Sequence, residues 1–480
     1  MCGLKPMPVP VISVGQMREW EEASWKAGRS ETEVIQQVGR IVARRALELT
    51  RPGDTILILA GKGHNGDDAR LAQRHLADRA VGLVEVTHPG VAAEGFNQHL
   101  TPRPQLLIDG LFGTGLNRPL SADWVRLVEL INQSRVPVLA VDTPSGLDAE
   151  TGEPFGAAVQ AAVTLTLGAP KRGLLRKGAW RFVGRLEVAP EIGLVPCPFT
   201  GELNWTLPED FTGYPPDRPV DAHKGTFGHI VILAGSVGFH GAAVLAARGA
   251  LRARPGLVTL LTQEGVYVPV ASQLQAVMVH PWRVAWPLPD SCTAFLIGPG
   301  LADPNLSAEF KSEVRYLWEH SPLPVIVDAS ALDWLPAGKP MDGGVRVVTP
   351  HPGEAARMLG TTTARVQQDR FAAVSELSRR YGGTWVVLKG HQTLVGRDTG
   401  EVAVNPSGNP HLAQGGSGDV LAGYLGGLLA QPALQRDPFR ALCYGVWQHG
   451  ADADRLSRVK PNWTIGDLLA DLGGATNWAG

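Results

Sequence analysis

Cysteine is scarce and scattered in this chain. The four cysteines in 480 residues, Cys2, Cys197, Cys292 and Cys443, form no CxxC pair. That argues against a zinc site and against a disulfide scaffold, and it suits a reducing compartment. An excess of one charge is missing too. Lys plus Arg number 44 against 46 Asp plus Glu, so no global field draws the protein to nucleic acid or to a membrane. No charge-free apolar run approaches the ~20 residues of a spanning helix. The proline-rich opening Met1–Pro10 has no signal-peptide core. A cytoplasmic protein is expected, with no nucleic-acid or membrane partner. Repeats and low-complexity tracts are absent as well. The length exceeds what one core holds, so two domains or more are expected.

What is present is an alternation. Thr55–Ala60, Val81–Val86, Leu106–Asp109, Val138–Asp142 and Val163–Leu167 are short apolar runs, the signature of strands buried on both faces. Segments such as Asp67–Ala77 and Ala122–Gln133 between them suit helices. Two further helices are predicted near Ser13–Ala27 and Glu31–Thr50, ended by Arg51-Pro52-Gly53-Asp54. This is a doubly wound α/β pattern with a largely parallel sheet. The proline- and glycine-rich stretch from about Val195 to Pro219 reads as a linker, after which the alternation resumes. The expected fold is thus α/β in two domains, 10–212 and 220–480.

Glycine-rich loops mark the chemistry. In the second half, Gly415-Gly416-Ser417-Gly418-Asp419 precedes the apolar helical run Val420, Leu421, Tyr424, Leu425, Leu428, Leu429. A glycine loop feeding a helix N-terminus is an anion site, because free N–H groups and the helix dipole favour negative charge. Asp419 in the first turn would face the bound group. In the first half, Gly61-Lys62-Gly63-His64-Asn65-Gly66-Asp67-Asp68 follows the first strand. Asp109–Pro119 and Val141–Leu147 follow two later strands. All three lie at carboxyl ends of predicted strands, the edge where open α/β sheets bind ligands.

The segment GNPHLAQGGSGDVLAG resembles the glycine loop of the ribokinase-like superfamily, and more narrowly that of ADP-dependent NAD(P)H-hydrate dehydratases. Matches in the same order lie upstream: HKGTFGH from His223, Gly241-Ala242-Ala243, Gly298-Pro299-Gly300, Asp328, TPHPGE from Thr349, and Lys389-Gly390-His391-Gln392-Thr393. Together they span roughly residues 220–455. The resemblance implies that Ala242, Gly300, His351 and Asp419 line the hydrate pocket. It places the adenine nucleotide against Lys389, Gly390, His391, Gln392 and Thr393 and against Gly415, Gly416, Ser417 and Gly418. Asp419 is implied as the base, with ADP and Mg²⁺ as cofactors.

The three N-terminal loops, with Ala169-Pro170-Lys171-Arg172-Gly173-Leu174, resemble the NAD(P)H-hydrate epimerase family over roughly residues 10–190. That resemblance assigns K⁺ to Asn65, Asp109 and Ser145. It assigns the hydrated nucleotide to His64, Asn65, Gly66, Asp67 and Asp68, to Gly113, Thr114, Gly115, Leu116, Asn117, Arg118 and Pro119, and to Asp142 as the acid/base residue. Where the family's loop reads GNNGGDG, this chain has GHNGDDA. The extra carboxylate of Asp67 beside the expected pyrophosphate predicts a slow or weakly binding epimerase, unless Lys62 or Arg70 pairs with it. The implied function is repair of hydrated NADH and NADPH: epimerisation of the R and S hydrates, then ADP-dependent dehydration of the S hydrate with release of AMP and phosphate, by a homo-oligomer. A ribokinase-like kinase with an N-terminal cofactor-binding module is the rival. The kinase would leave a stable phosphate ester.

Overall fold

A computed structural model describes residues 9–341 and 343–474; Cys2 and most of the proline-rich opening lie outside the described residues. The chain divides into two compact units, Val9–Gly201 and Glu202–Gly480.

In the first unit the strands are Thr55–Ala60 (β1), Ala80–Glu85 (β2), Leu106–Gly110 (β3), Val138–Val141 (β4), Val163–Leu167 (β5) and Arg185–Ala189 (β6). They form one sheet in the order β2-β1-β3-β4-β5-β6, every pair parallel. The continuous run of β1 has the reason anticipated. Ile56 and Ile58 pack against the helices Val14–Lys26, Glu31–Leu49 and His64–Ala72, while Leu57 and Leu59 face the layer of Ala122–Ser134. Both faces of the sheet are covered, so alternation would be wrong here. The strand order reverses between β1 and β3, and the glycine loop lies there, at the switch point.

In the second unit the strands are Leu203–Trp205 (β7), His229–Leu233 (β8), Leu257–Thr262 (β9), Met278–Pro281 (β10), Ala294–Ile297 (β11), Val325–Val327 (β12), Arg346–Val348 (β13), Trp385–Leu388 (β14), Leu394–Gly396 (β15) and Val402–Val404 (β16). Their order is β7-β16-β15-β14-β13-β12-β11-β8-β9-β10. Pairing is parallel from β14 to β10 and antiparallel at β14-β15 and β15-β16.

The stretch read as a linker is partly built in. β7 pairs with β16, and Phe211 is buried against Trp447 with ring centroids 5.2 Å apart. Residues 202–212 therefore pack with the second unit, because two aromatics in that stretch, Trp205 and Phe211, find a core to bury in.

Two helices carry the second unit's glycine loop. Ser417–Leu429 lies against His240–Arg252 almost backbone to backbone. A Cβ on Gly423 would sit 2.0 Å from the Ala246 carbonyl oxygen, and one on Gly249 would sit 2.4 Å from that of Val420. Glycine inside a helix ordinarily costs about 1 kcal/mol relative to alanine. Here it lets two helices approach where no side chain fits.

Candidate active sites

In the second unit the loop turns into its helix at Gly416, whose φ of +94° is open to glycine and strained for other residues. Asp419 occupies the first turn. β12, β13 and β14 deliver charged groups towards it. Asp328 follows β12, Glu354 lies in the first turn of the helix Pro352–Leu359 after β13, and Lys389 follows β14. Lys389 Nζ is 2.6 Å from Asp328 Oδ1 and 4.0 Å from Glu354 Oε2. It also lies 3.5 Å from where a Cβ on Gly418 would stand. Thr349 Oγ1 donates to Asp328 Oδ1 at 2.7 Å.

Burial works against the charge of Lys389, but Asp328, Glu354 and Asp419 outweigh it and raise its pKa. Among the described residues Asp419 has no direct ion pair. Burial, with Asp328 and Glu354 opposing Lys389, pushes its carboxyl up to about 6. A carboxylate tuned close to neutrality beside a glycine loop at a helix N-terminus suits proton abstraction.

The other expected residues fall around it. Ala242 and Gly300 meet: a Cβ on Gly300 would lie 2.9 Å from that of Ala242, and the Ser236 hydroxyl donates to the Gly300 carbonyl at 2.6 Å. His351 caps the helix Pro352–Leu359, its Nδ1 accepting from the Gly353 and Glu354 amides at 3.0 and 3.3 Å. Its own amide donates to Glu354 Oε2 at 2.8 Å, so His351 fixes the carboxylate that faces Lys389.

The Lys389–Thr393 loop is held by a residue that no sequence signal singles out. Arg370 donates to the carbonyls of Leu388, Lys389 and Gln392 at 3.0, 3.3 and 3.2 Å, and also to that of His391. Burial lowers the Arg370 pKa to about 10, and burial with Arg370 lowers that of His391 to about 4. Gly390 at φ +132° and Gln392 at φ +52° bend the loop, and Thr393 Oγ1 donates to the Gly390 carbonyl at 3.0 Å.

In the first unit the helix begins three residues earlier than expected, at His64 with Gly63 as its N-cap, and ends at Ala72 before a 3₁₀ turn. Asn65, Gly66 and Asp67 are therefore in its first turn. Gly61 and Gly66 allow the loops to interlock: a Cβ on Gly61 would lie 2.2 Å from the Leu111 carbonyl oxygen, and one on Gly66 would lie 2.1 Å from that of Gly61.

The three residues expected to hold K⁺ converge. Asp109 is fully buried and accepts from the Ser145 hydroxyl at 2.6 Å and the Ser145 amide at 2.9 Å. Asn65 Nδ2 donates to the Phe112 carbonyl at 2.9 Å, and the Phe112 amide donates to Ser145 Oγ at 2.8 Å. Burial raises the Asp109 pKa against those hydrogen bonds. Carboxylate, amide, hydroxyl and backbone oxygens form a hard donor set that fits an alkali cation.

Gly113–Pro119 begins with a turn closed by the Leu116 amide on the Gly113 carbonyl at 3.3 Å. Thr114 is half-buried, while Gly115, Asn117, Arg118 and Pro119 are exposed. His64 is exposed and 3.1 Å from Glu31.

Asp67 does not stand as a free charge. Arg70 Nη1 is 2.6 Å from it, and Arg70 also pairs with Glu85 at 2.7 Å. The expected repulsion of a pyrophosphate is weakened, because Arg70 one helical turn away, shared with Glu85, offsets part of that charge. Asp68 is the unusual one. It is buried, with Oδ1 unpartnered, and burial, then Asp142, Asp67 and Glu21 raise its carboxyl to about 8. Asp142 has φ +62°, a backbone conformation non-glycine residues seldom adopt and one that tends to mark functional sites.

Comparisons with known proteins cover both units. A family model described as NAD(P)H-hydrate dehydratase matches residues 230–473, and the YjeF-related protein N-terminus model matches residues 89–173. The bifunctional NAD(P)H-hydrate repair enzyme Nnr of Coxiella burnetii is 35% identical over 468 residues, 92% of this chain and 94% of that protein. The chain belongs to the bifunctional NAD(P)H-hydrate repair enzymes. Its relative of that name in Vibrio cholerae is 37% identical, covering 76% of this chain and 73% of that one. The solved ADP/ATP-dependent NAD(P)H-hydrate dehydratase from Bacillus subtilis, co-crystallised with ATP/Mg²⁺, has a TM-score of 0.50 at 32% identity. It covers 55% of this chain and 96% of that one.

This repair enzyme therefore combines an isomerase and a lyase in two α/β units, the second matching the NAD(P)H-hydrate dehydratases. Among the described residues no helix is long and apolar enough to cross a membrane. Asp328, Glu354 and Arg370 are absent from the sequence-derived site. Asp328 and Glu354 stood in the sequence only as members of matching segments, without a role in the site; Arg370 opens an ordinary amphipathic helix, Arg370–Arg380, and carried no signal.

Proposed function

We propose that Asp419 is the base of the dehydration and Asp142 the acid/base residue of the epimerisation, with ADP as the phosphoryl donor. The observation that carries the first assignment is the meeting of Asp419, Lys389 and the Gly415–Gly418 loop at one helix N-terminus. Asp419 takes the proton of the hydrate's hydroxyl as that oxygen attacks the β-phosphate of ADP, and AMP leaves. Phosphate then departs from C6 with the C–O electron pair while C5 loses a proton, which restores the 5,6 double bond. The loop amides and Lys389 hold the transferred phosphate, so positioning and charge stabilisation do most of the work.

Among the described residues no three His, Cys, Asp or Glu side chains converge as a metal group, and Mg²⁺ in this reading arrives on the nucleotide's phosphates. When bound, it offsets their charge. Lys389–Thr393 takes the adenine nucleotide, and Ala242, Gly300 and His351 border the hydrate.

In the first unit, Asp142 takes the proton of the C6 hydroxyl as the C6–N1 bond opens to a carbonyl. N1 keeps that electron pair and receives the proton, and reclosure on the other face gives the other epimer. Asn65, Asp109, Ser145 and the Phe112 carbonyl would hold K⁺, and 64–68 and 113–119 the nucleotide.

The test is incubation of NADH hydrate, as an epimer mixture, with ADP or ADP-free ATP while absorbance of the reduced nicotinamide is followed. ADP is expected to restore NADH faster, with inorganic phosphate released. A stable phosphate ester, or equal rates with ATP, would count against this reading.

A further inference from the structure

Lys171 is the one lysine among the described residues with no exposed surface, and nothing above gives it a task. A buried ammonium persists only where its donors are met and its charge is opposed. Here both conditions hold. Nζ lies 2.6 Å from Asp142 Oδ1, 2.8 Å from the Leu167 carbonyl and 3.1 Å from Thr166 Oγ1, so its three protons have three acceptors. The loop after β5 that carries Lys171 is tied to the chain's beginning, since the Ile12 amide donates to the Pro170 carbonyl and the Arg172 amide to that of Ile12, both at 3.0 Å.

The engagement of Asp142 is one-sided. Oδ1 receives Lys171 Nζ, the Leu167 amide at 3.2 Å and the Thr166 hydroxyl at 3.3 Å. Oδ2 takes part in no hydrogen bond among the described residues, though the side chain is only 11% exposed. The backbone at φ +62° sets the direction of this carboxylate, and Lys171 fixes its rotation. An arrangement that saturates one oxygen and leaves its twin open is what an oriented base requires.

We propose that Lys171 is the positioning residue of the epimerase site, pinning Asp142 through Oδ1 so that Oδ2 is the atom that exchanges the proton of the hydrate's C6 hydroxyl. This rests on the reading of Asp142 as the acid/base residue. The other charged groups that feel the pair are Glu21 from the helix Val14–Lys26 and Asp68 from the helix His64–Ala72; His64 and Arg18 act in turn on Glu21, and Asp67 on Asp68. None of these makes a hydrogen bond to either oxygen of Asp142.

The experiment uses the full chain without adenine nucleotide, so that only interconversion of the R and S hydrates is read, by chromatography. Lys171→Met is expected to lower kcat about 10²-fold while leaving KM for the hydrate within about twofold, because the pocket remains and only the base loses its orientation. Lys171→Ala with added ethylammonium is expected to recover at least about tenfold of the loss, which a purely structural lysine would not show.

Near-normal kcat in Lys171→Met overturns the proposal. So does a raised KM with kcat unchanged. If Lys171→Met melts far below the wild type, the ammonium titration of Lys171→Ala decides, and absence of rescue overturns the proposal. Asp142→Asn separates the two layers: an active Asp142→Asn removes the underlying reading, whereas an inactive one beside a normal Lys171→Met removes the role of Lys171 alone.

Discussion

The two units solve the same problem in opposite ways. Each places a carboxylate beside a glycine loop at the carboxyl edge of a parallel sheet. In the first, the carboxylate is in contact with a cation: Lys171 sits on Asp142 at 2.6 Å. In the second, the cation is given to someone else. Lys389 pairs with Asp328 at 2.6 Å, and Asp419 feels it only at longer range, against the charge of Asp328 and Glu354. A carboxylate held by direct contact is fixed in direction. A carboxylate left among competing charges is tuned in proton affinity, and that of Asp419 rises to about 6. Residue type and loop grammar are shared, and the placement of one lysine separates them.

The sharpest way to break this comparison is to remove each carboxylate. Asp419→Asn is expected to lower dehydration of the S hydrate ~10²–10⁴-fold with folding retained, since the amide cannot accept the proton. Near-wild-type recovery of NADH by this variant would end the assignment. Asp142→Asn is expected to slow epimer interconversion by a comparable ~10²-fold or more, while dehydration of purified S hydrate continues. Loss of both activities would mean that the two sites are not independent.

Next in size is a packing change. Gly423→Ala would put a methyl group 2.0 Å from the Ala246 carbonyl oxygen, and overpacking of this kind costs about 1–3 kcal/mol or more. Thermal melts should show the second unit destabilised and dehydration lost first, with interconversion of the epimers surviving. An unchanged melt would show that the two helices can part without cost.

The pH dependence sharpens the comparison further. With Asp419 as the proposed base, dehydration would need it ionised, so kcat should climb as pH rises through about 6 and then level off. Asp328→Asn removes the negative charge and frees Lys389, both of which favour the carboxylate, so the acid limb should move to lower pH in whatever activity remains. An acid limb that stays in place would point to a different titrating group.

The smallest effect is expected at Asp67. Because Asp67 is half-exposed and already paired with Arg70, Asp67→Gly should change epimerisation by less than about twofold, in line with the ~0–1 kcal/mol of a half-exposed ion pair. A large gain would restore the view that this carboxylate repels the nucleotide.

Much of this was legible beforehand. Continuous apolar runs such as Thr55–Ala60 gave the strands, because a strand covered on both faces has no polar side to show. Glycine clusters after those runs gave the loops, and Asp419 and Asp142 stood beside them. Asn65, Asp109 and Ser145, which the resemblance groups, also lie together around Phe112.

The opaque part is of a different kind. Arg370 grips four carbonyls of a loop about twenty residues away. Lys171 reaches back to Asp142 across β5, and Asp67 turns from a liability to a paired residue because a cation sits one turn along its helix. Phe211 and Trp205 turn a supposed linker into part of a core.

The sequence by itself determined which backbone can bend, which runs must be buried and which groups can carry a proton, since those follow from residue type and near neighbours. Only the tertiary structure decided which lysine stands against which carboxylate. Charge pairing inside a protein depends on distance and burial, and both are set by segments that meet only when the chain is folded.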